Sequence, residues 1–139
     1  MFTLHPQLQQ DCEQLGRFAL CRLLLMHDAN YPWCILVPER PEIAEIYQLT
    51  IEDQQQLMRE SSLLASTMAE TFAADKMNVA ALGNVVPQLH VHHIARRRDD
   101  PAWPAPVWGK VPARDYSATA LQTTVERLRT ALGAALYAL

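Results

Sequence analysis

The sequence predicts an α+β fold built on an antiparallel sheet. Two dense apolar runs of strand length, residues 18–27 and 33–38, flank a short polar turn, which is the pattern of a strand pair. Two longer stretches, one central and one at the end, carry apolar residues at helical spacing. Between them lies a run in which side-chain character alternates with a period of two.

Taken in order, residues 6–15 (PQLQQDCEQL) suit a short helix opened by Pro6 and closed by Gly16. FALCRLLLMH and WCILVP are the strand pair, joined by DANYP, with Pro38 ending the second strand. Residues 42–49 suit a helical turn or two. Thr50-Ile-Glu-Asp53 resembles a capping box with Asp in the place of Glu or Gln, so a helix is expected from there to about Ala74. Its stripe is Leu57, Leu64, Met68 and Phe72, with Ala65 and Ala69 beside it. Met77 to Leu82 reads as a strand, Gly83-Asn84 as a turn, and Gln88 to Ala95 as another strand. Residues 99–112 contain Pro101, Pro104, Pro106 and Pro112 together with Trp103 and Trp108, which demands an irregular, extended path. Ser117 can cap a last helix whose stripe is Leu121, Val125, Leu128, Leu132 and Leu136.

Composition narrows the class. With 139 residues, half of them hydrophobic and 19% charged, the chain suits one folded domain, 1–139, rather than a disordered segment. The formal charge of −3 gives no basic excess for DNA or RNA, so no nucleic-acid partner is expected. Cys12, Cys21 and Cys34 are odd in number and lack a C-x-x-C pair, which argues against a zinc ribbon or a disulfide framework. No apolar stretch is long enough for a bilayer, and MFTLHPQLQQDCE lacks the pattern of a signal peptide. These features predict a soluble, cytoplasmic protein with no membrane partner.

The chemistry concentrates in Gly83-Asn-Val-Val-Pro-Gln-Leu-His-Val-His-His-Ile-Ala-Arg96. On a strand, Gln88, His90, His92 and Ile94 share one face, while Leu89, Val91, His93 and Ala95 share the other, toward the expected helix. Two imidazoles and an amide on one face are more than packing asks for. Neutral imidazole is a good nucleophile near pH 7 and can attack phosphorus to form a phosphoramidate that water later cleaves. Its single proton must then sit on the nitrogen facing away from phosphorus, a tautomer that a backbone carbonyl commonly fixes.

This segment resembles the histidine triad motif, His-φ-His-φ-His-φ-φ, where φ is apolar. Gly83-Asn84-Val85-Val86 is similar to the Gly-Gln-Ser/Thr-Val that precedes it, and His27-Asp28 followed by Ile35-Leu36-Val37-Pro38 is similar to the family's strand pair. The resemblance spans roughly residues 18–98. It implies a histidine triad (HIT)-like antiparallel sheet with one long packed helix and helices at both ends, and a homodimer with a continuous sheet. It also implies hydrolysis or transfer of nucleoside monophosphate groups without a cofactor or metal. His90 would be the nucleophile and His92 the supporting residue, its carbonyl and ring serving nucleophile and phosphate. Asp28 would hold the ribose hydroxyls, and Asn84 the phosphate or bridging atom.

Gln88 stands where the first histidine usually does; it can hydrogen-bond phosphate but cannot act as an acid near neutral pH. Val85 replaces a hydroxyl residue, His93 an apolar one and Ala95 a proline. A metal site from His90, His92 and His93 is disfavoured, because His93 points away and no spaced Cys or acid completes the set. His93 reads as a partly buried histidine at the helix or dimer contact, Arg96 to Arg98 with Asp99 and Asp100 as a solvated charge cluster, and Trp103 and Trp108 as packing anchors. The expected function is a nucleotide hydrolase or transferase acting through a His90 adduct on a nucleotide-like small molecule. The rivals are a catalytically silent nucleotide-binding module and a protein-interaction domain with a vestigial pocket.

Overall fold

The computed structural model describes all 139 residues. The elements run α1 (Pro6–Asp11), β1 (Cys12–Arg17), β2 (Cys21–Met26), β3 (Trp33–Pro38), a 3-10 turn (Ile46–Gln48), α2 (Ile51–Thr71), β4 (Lys76–Ala80), β5 (Val91–Arg96), α3 (Ala118–Leu132) and a second 3-10 turn (Gly133–Ala135). The five strands form one antiparallel sheet in the order β1-β2-β3-β5-β4. This is the α+β architecture expected. No helix is long and apolar enough to cross a membrane.

The two sheet faces carry separate cores. On one, α2 and α3 bury Leu57, Leu64, Met68, Val125 and Leu128 against Leu23, Leu36, Val91 and Ala95. On the other, Leu4, Leu8, Val86, Ala102 and Val107 from non-strand segments cover Trp33, Ile35 and Ile94. The parity of β5 is the one expected: Val91, His93 and Ala95 lie toward α2, His92 and Ile94 away from it. His93 is fully buried rather than partly so, its Nε2 2.7 Å from Ser61 Oγ on α2 and its Nδ1–H donating to Val91 O at 3.0 Å.

Several bounds differ from the sequence reading. The expected helix over 6–15 stops at Asp11, and β1 begins at once. Leu8, Cys12 and Leu15 recur at helical spacing, but Cys12 and Leu15 lie in a strand paired with β2, on opposite faces of the sheet, with Leu15 at the bulge and its carbonyl accepting from the Arg129 side chain. Gly16 is needed there: a Cβ would come within 2.6 Å of Tyr137 O, where the C-terminal chain bridges Arg17. Residues 88–90 precede β5 instead of opening it, because pairing with β3 begins at Leu36↔Val91. Arg96 is not part of a solvated cluster. It is buried, forks onto Asp100 at 2.7 and 3.1 Å, and donates to Asn78 Oδ1. Arg97 and Arg98 are exposed.

Glu60 ties α2 to the sheet. Its buried carboxylate accepts the backbone N–H of Leu20 and of Cys21, each at 2.9 Å, and the Gln56 amide at 2.7 Å. The donors at the start of β2, which no strand could satisfy, are thereby paired.

Two stability predictions follow from these buried groups. Glu60→Ala leaves two backbone donors unpaired inside the protein and should lower the unfolding free energy by about 3 kcal/mol in urea titration; a loss below about 1 kcal/mol would contradict the anchoring role. Burial lowers the pKa of His93 to about 4, against the opposing Val91 carbonyl bond. The unfolded chain therefore binds a proton that the folded chain refuses between pH 6.5 and 4, so stability falls as pH falls through that window. His93→Gln should remove about 2 kcal/mol of the loss between pH 7 and 4.5, read as a shallower pH dependence of the urea midpoint.

Candidate active site

The segment between β4 and β5 returns over the sheet face opposite the helices. Gly83 permits this turn at close quarters: a Cβ would lie 2.8 Å from Val86 O and 3.3 Å from His90 Cε1. His90 follows, nearly buried, with Nδ1 2.7 Å from the carbonyl oxygen of Gln88. A carbonyl only accepts, so Nδ1 carries the proton and Nε2 keeps its lone pair. No protein group bonds Nε2. The carbonyl that orients His90 thus belongs to Gln88 and not, as the motif suggested, to His92.

His92 lies edge-on to His90, ring centroids 4.8 Å apart at 71°. Both of its nitrogens are engaged. The Trp33 indole N–H donates to Nδ1 at 3.0 Å, and Nε2–H donates to Leu82 O at 3.0 Å. Burial, assisted by the neighbouring His90 and His93 and opposed by the Leu82 carbonyl, lowers its pKa to about 4. His92 is therefore a neutral, fixed ring. Its support reaches His90 through packing, because no ring nitrogen remains for a phosphate.

Two cavities flank this pair. A small one of about 170 Å³ is lined by Gly83, Asn84, Pro87, Gln88 and His90, with Ala44 and Glu45 on its rim. No lysine or arginine lines it and one carboxylate, Glu45, does, so an anion there would have to rely on neutral donors. A larger one of about 410 Å³ lies between Met26, Asp28 and Trp33 on one side and Val107, Trp108 and Val111 on the other. Trp108 stands edge-on to His92 at 5.1 Å and to Trp33 at 5.7 Å, so one ring, His92, joins the larger cavity to His90. A third cavity, about 530 Å³, is lined by Leu136 to Leu139 near β1 and offers no nucleophile beside it.

The structure brings His90, His92 and Asn84 together and places Asp28 across the larger cavity. Asp28 is buried in the turn after β2. Its Oδ1 accepts from the backbone N–H of Asn30 at 3.0 Å and of Arg114 at 3.3 Å, while Oδ2 has no protein partner. Asn84 is exposed and makes no hydrogen bond within the chain. Gln88, expected to contact substrate, has its side chain turned to the N-terminal segment: Oε1 accepts from His5 N–H at 2.9 Å and Nε2 donates to Thr3 O at 2.8 Å. No cluster of three or more His, Cys, Asp or Glu side chains could hold a metal ion.

Trp33 is a site residue that sequence reasoning passed over, and Trp108, read there as a packing anchor, lines the larger cavity. Trp33 was within reach, since strand parity sets it on the same face as Ile35, which pairs with His92. Trp108 lies in an irregular segment with no periodicity to place it. That segment covers the pocket and is fastened at both ends, by the Arg96–Asp100 ion pair and by Asn30, Asp28 and Arg114.

Comparison with known proteins gives a consistent picture. The HIT domain profile matches residues 7–99. A histidine triad protein of Bradyrhizobium japonicum superposes with a TM-score of 0.93 at 45% identity, over 95% of this chain and 98% of its own. One from Marinobacter aquaeolei gives 0.92 at 52% identity, over 95% and 96%. One from Sinorhizobium meliloti gives 0.92 at 43%, over 95% and 98%. No protein of curated function matches significantly. Covering two thirds of the sequence by profile and nearly all of it by structure, these matches show that the chain belongs to the HIT domain family, whose members are generally nucleotide-binding hydrolases or transferases.

Proposed function

We propose that this protein, as one domain of residues 1–139, hydrolyses or transfers the nucleoside monophosphate group of a nucleotide-like substrate through a covalent adduct on His90. The observation that carries the reading is the His90 tautomer. Its Nδ1–H is held by a carbonyl and its Nε2 has no protein partner, on a ring that lines a cavity. Nε2 attacks phosphorus, the bond to the leaving group breaks, and the leaving group takes a proton from solvent. Water then cleaves the P–N bond, releasing the nucleoside monophosphate and restoring the lone pair on Nε2. The Gln88 carbonyl stabilises the positive charge that His90 gains during attack.

The nucleoside is assigned to the larger cavity. Asp28 Oδ2, with no protein partner, suits a pair of ribose hydroxyls, and Trp33, Val107 and Trp108 give the base an apolar wall. Asn84 supplies a neutral amide for the phosphate. His92 is a positioning residue. The assignment needs no metal and no cofactor, and it suits a cytoplasmic setting.

A specific observation favours a second reading. The His92 nitrogens and the Gln88 amide are committed within the chain, and no cation lines the small cavity, so no side chain stands ready to protonate a leaving group. A slow or silent nucleotide-binding module would have this arrangement.

The assembly proposed is a homodimer through β4. That strand ends the sheet, its outer edge is unpaired, and Val79, Leu82 and Val85 are exposed along it and the following loop.

Two measurements test these proposals. Incubation with adenosine phosphoramidate followed by acid-free intact-mass analysis should show an adenylyl adduct on wild type and none on His90→Ala, with product release lost at least about 1,000-fold. Binding without adduct or product would establish the silent module instead. Light scattering after gel filtration should give twice the chain mass, reduced to one chain in Val79→Lys; a monomeric wild type would refute the dimer.

A further inference from the structure

We infer that Gln88 is a positioning residue that makes the N-terminal segment part of the site: its side chain clamps Thr3–His5, and through that clamp its carbonyl holds the His90 imidazole in the tautomer that leaves Nε2 bare. The inference rests on the reading above only in treating Nε2 as the reactive nitrogen. The clamp itself stands on geometry.

A primary amide presents an acceptor and donors side by side, as a peptide group does. Gln88 therefore bonds two backbone groups of one extended segment, Thr3 O and His5 N–H, 85 and 83 residues away in the chain. An imidazole at this position could not do the same, because its two nitrogens diverge across the ring. Leu4, between the bonded residues, is buried, and Leu8 after it is buried as well; both pack in the cluster that holds Trp33, Val86 and Val107. On the far side, Leu89 N–H donates to Ile43 O at 2.9 Å. The backbone at 88–89 is thus fastened from two directions, and the carbonyl between these fastenings meets His90 Nδ1 at 2.7 Å. The HIT domain profile matches residues 7–99, so Thr3 and His5 lie outside the matched residues.

His5 offers a selective probe. Its φ of −57° is one that proline adopts, so His5→Pro deletes the N–H that Gln88 accepts while leaving Leu4 in place. His5→Ala is the control. It removes the ring that accepts from Gln7 N–H at 3.1 Å but keeps the backbone donor.

The experiment is nitrogen-15 imidazole NMR of the full chain, with amide hydrogen exchange of residues 4–9, in wild type, Gln88→Ala, His5→Pro and His5→Ala. Wild type and His5→Ala should show the His90 Nδ1–H tautomer and a protected segment. Gln88→Ala and His5→Pro should show a mixed tautomer and faster exchange, and kcat on adenosine phosphoramidate should drop about 10-fold or more with KM little changed. If Gln88→Ala and His5→Pro both keep the wild-type tautomer and protection, the clamp is refuted. If Gln88→Ala alone loses activity while His5→Pro matches wild type in every readout, Gln88 acts on substrate and not through the N-terminus, which also overturns the inference. Tautomer and exchange are read without turnover, so an inactive wild type whose variants still shift would retire the proposed reaction and leave the clamp standing.

Discussion

The site is organised around a histidine that cannot react. His92 spends one nitrogen on the Trp33 indole and the other on the Leu82 carbonyl, and its ring edges meet His90 and Trp108. Three segments distant in sequence, β3, the loop after β4 and the proline-rich strap, are thereby indexed to one side chain of β5. An imidazole whose two nitrogens both face protein, as those of His92 do, is tolerable only when neutral and bonded at each, so the arrangement has one acceptable geometry. His93, its neighbour on the opposite face, obeys the same rule against Ser61 and Val91. Two consecutive histidines thus lock the sheet to the helical layer on one side and to the site on the other.

Charge is placed with similar economy. The Glu60 carboxylate is buried where backbone donors would otherwise be orphaned, and the Arg96 guanidinium where it can fork onto Asp100 between the rings of Tyr31 and Trp103. The backbone N–H groups of Ala102 and Trp103 also donate to Asp100, at 3.0 and 2.7 Å. Burial works against its ionised form, but the Arg96 fork and these backbone donors outweigh it and hold the pKa below the usual carboxylate value. Around His90 the opposite holds: neutral groups prevail, and the imidazole meets no committed counter-ion.

Much of this was legible in the sequence because it is periodic. The strand pair, α2 with its Thr50 cap, α3 with its Ser117 cap, and the division of residues 89–95 between two faces all follow from spacings of two or of three and four. Where two periods agree, the sequence misleads: Leu8, Cys12 and Leu15 satisfy a helix, and only the ladder to β2 decides for a strand. Arg96 was obscured by its neighbours. Strand parity continues His92 and Ile94 to Arg96 and turns it inward, but three adjacent arginines look like one solvated group. The partners of Gln88 and the packing of Trp108 on Trp33 were beyond reach, since contacts across more than 70 residues leave no local trace.

The strap over the larger cavity is closed before any ligand arrives. It is tied by Arg96 and Asp100 at its start and, near its end, by Asn30 bonding Pro112 O at 2.9 Å and by Asp28 accepting from Arg114. Prolines stiffen what lies between. A guest entering there need not recruit a loop, so little ordering entropy is charged against its affinity. Encounter with such a preformed wall is governed by diffusion and shape rather than by a gating motion. The pocket accordingly selects by rejecting misfits at the door, and a new preference would have to be reached by recutting side chains along the strap rather than by loosening it.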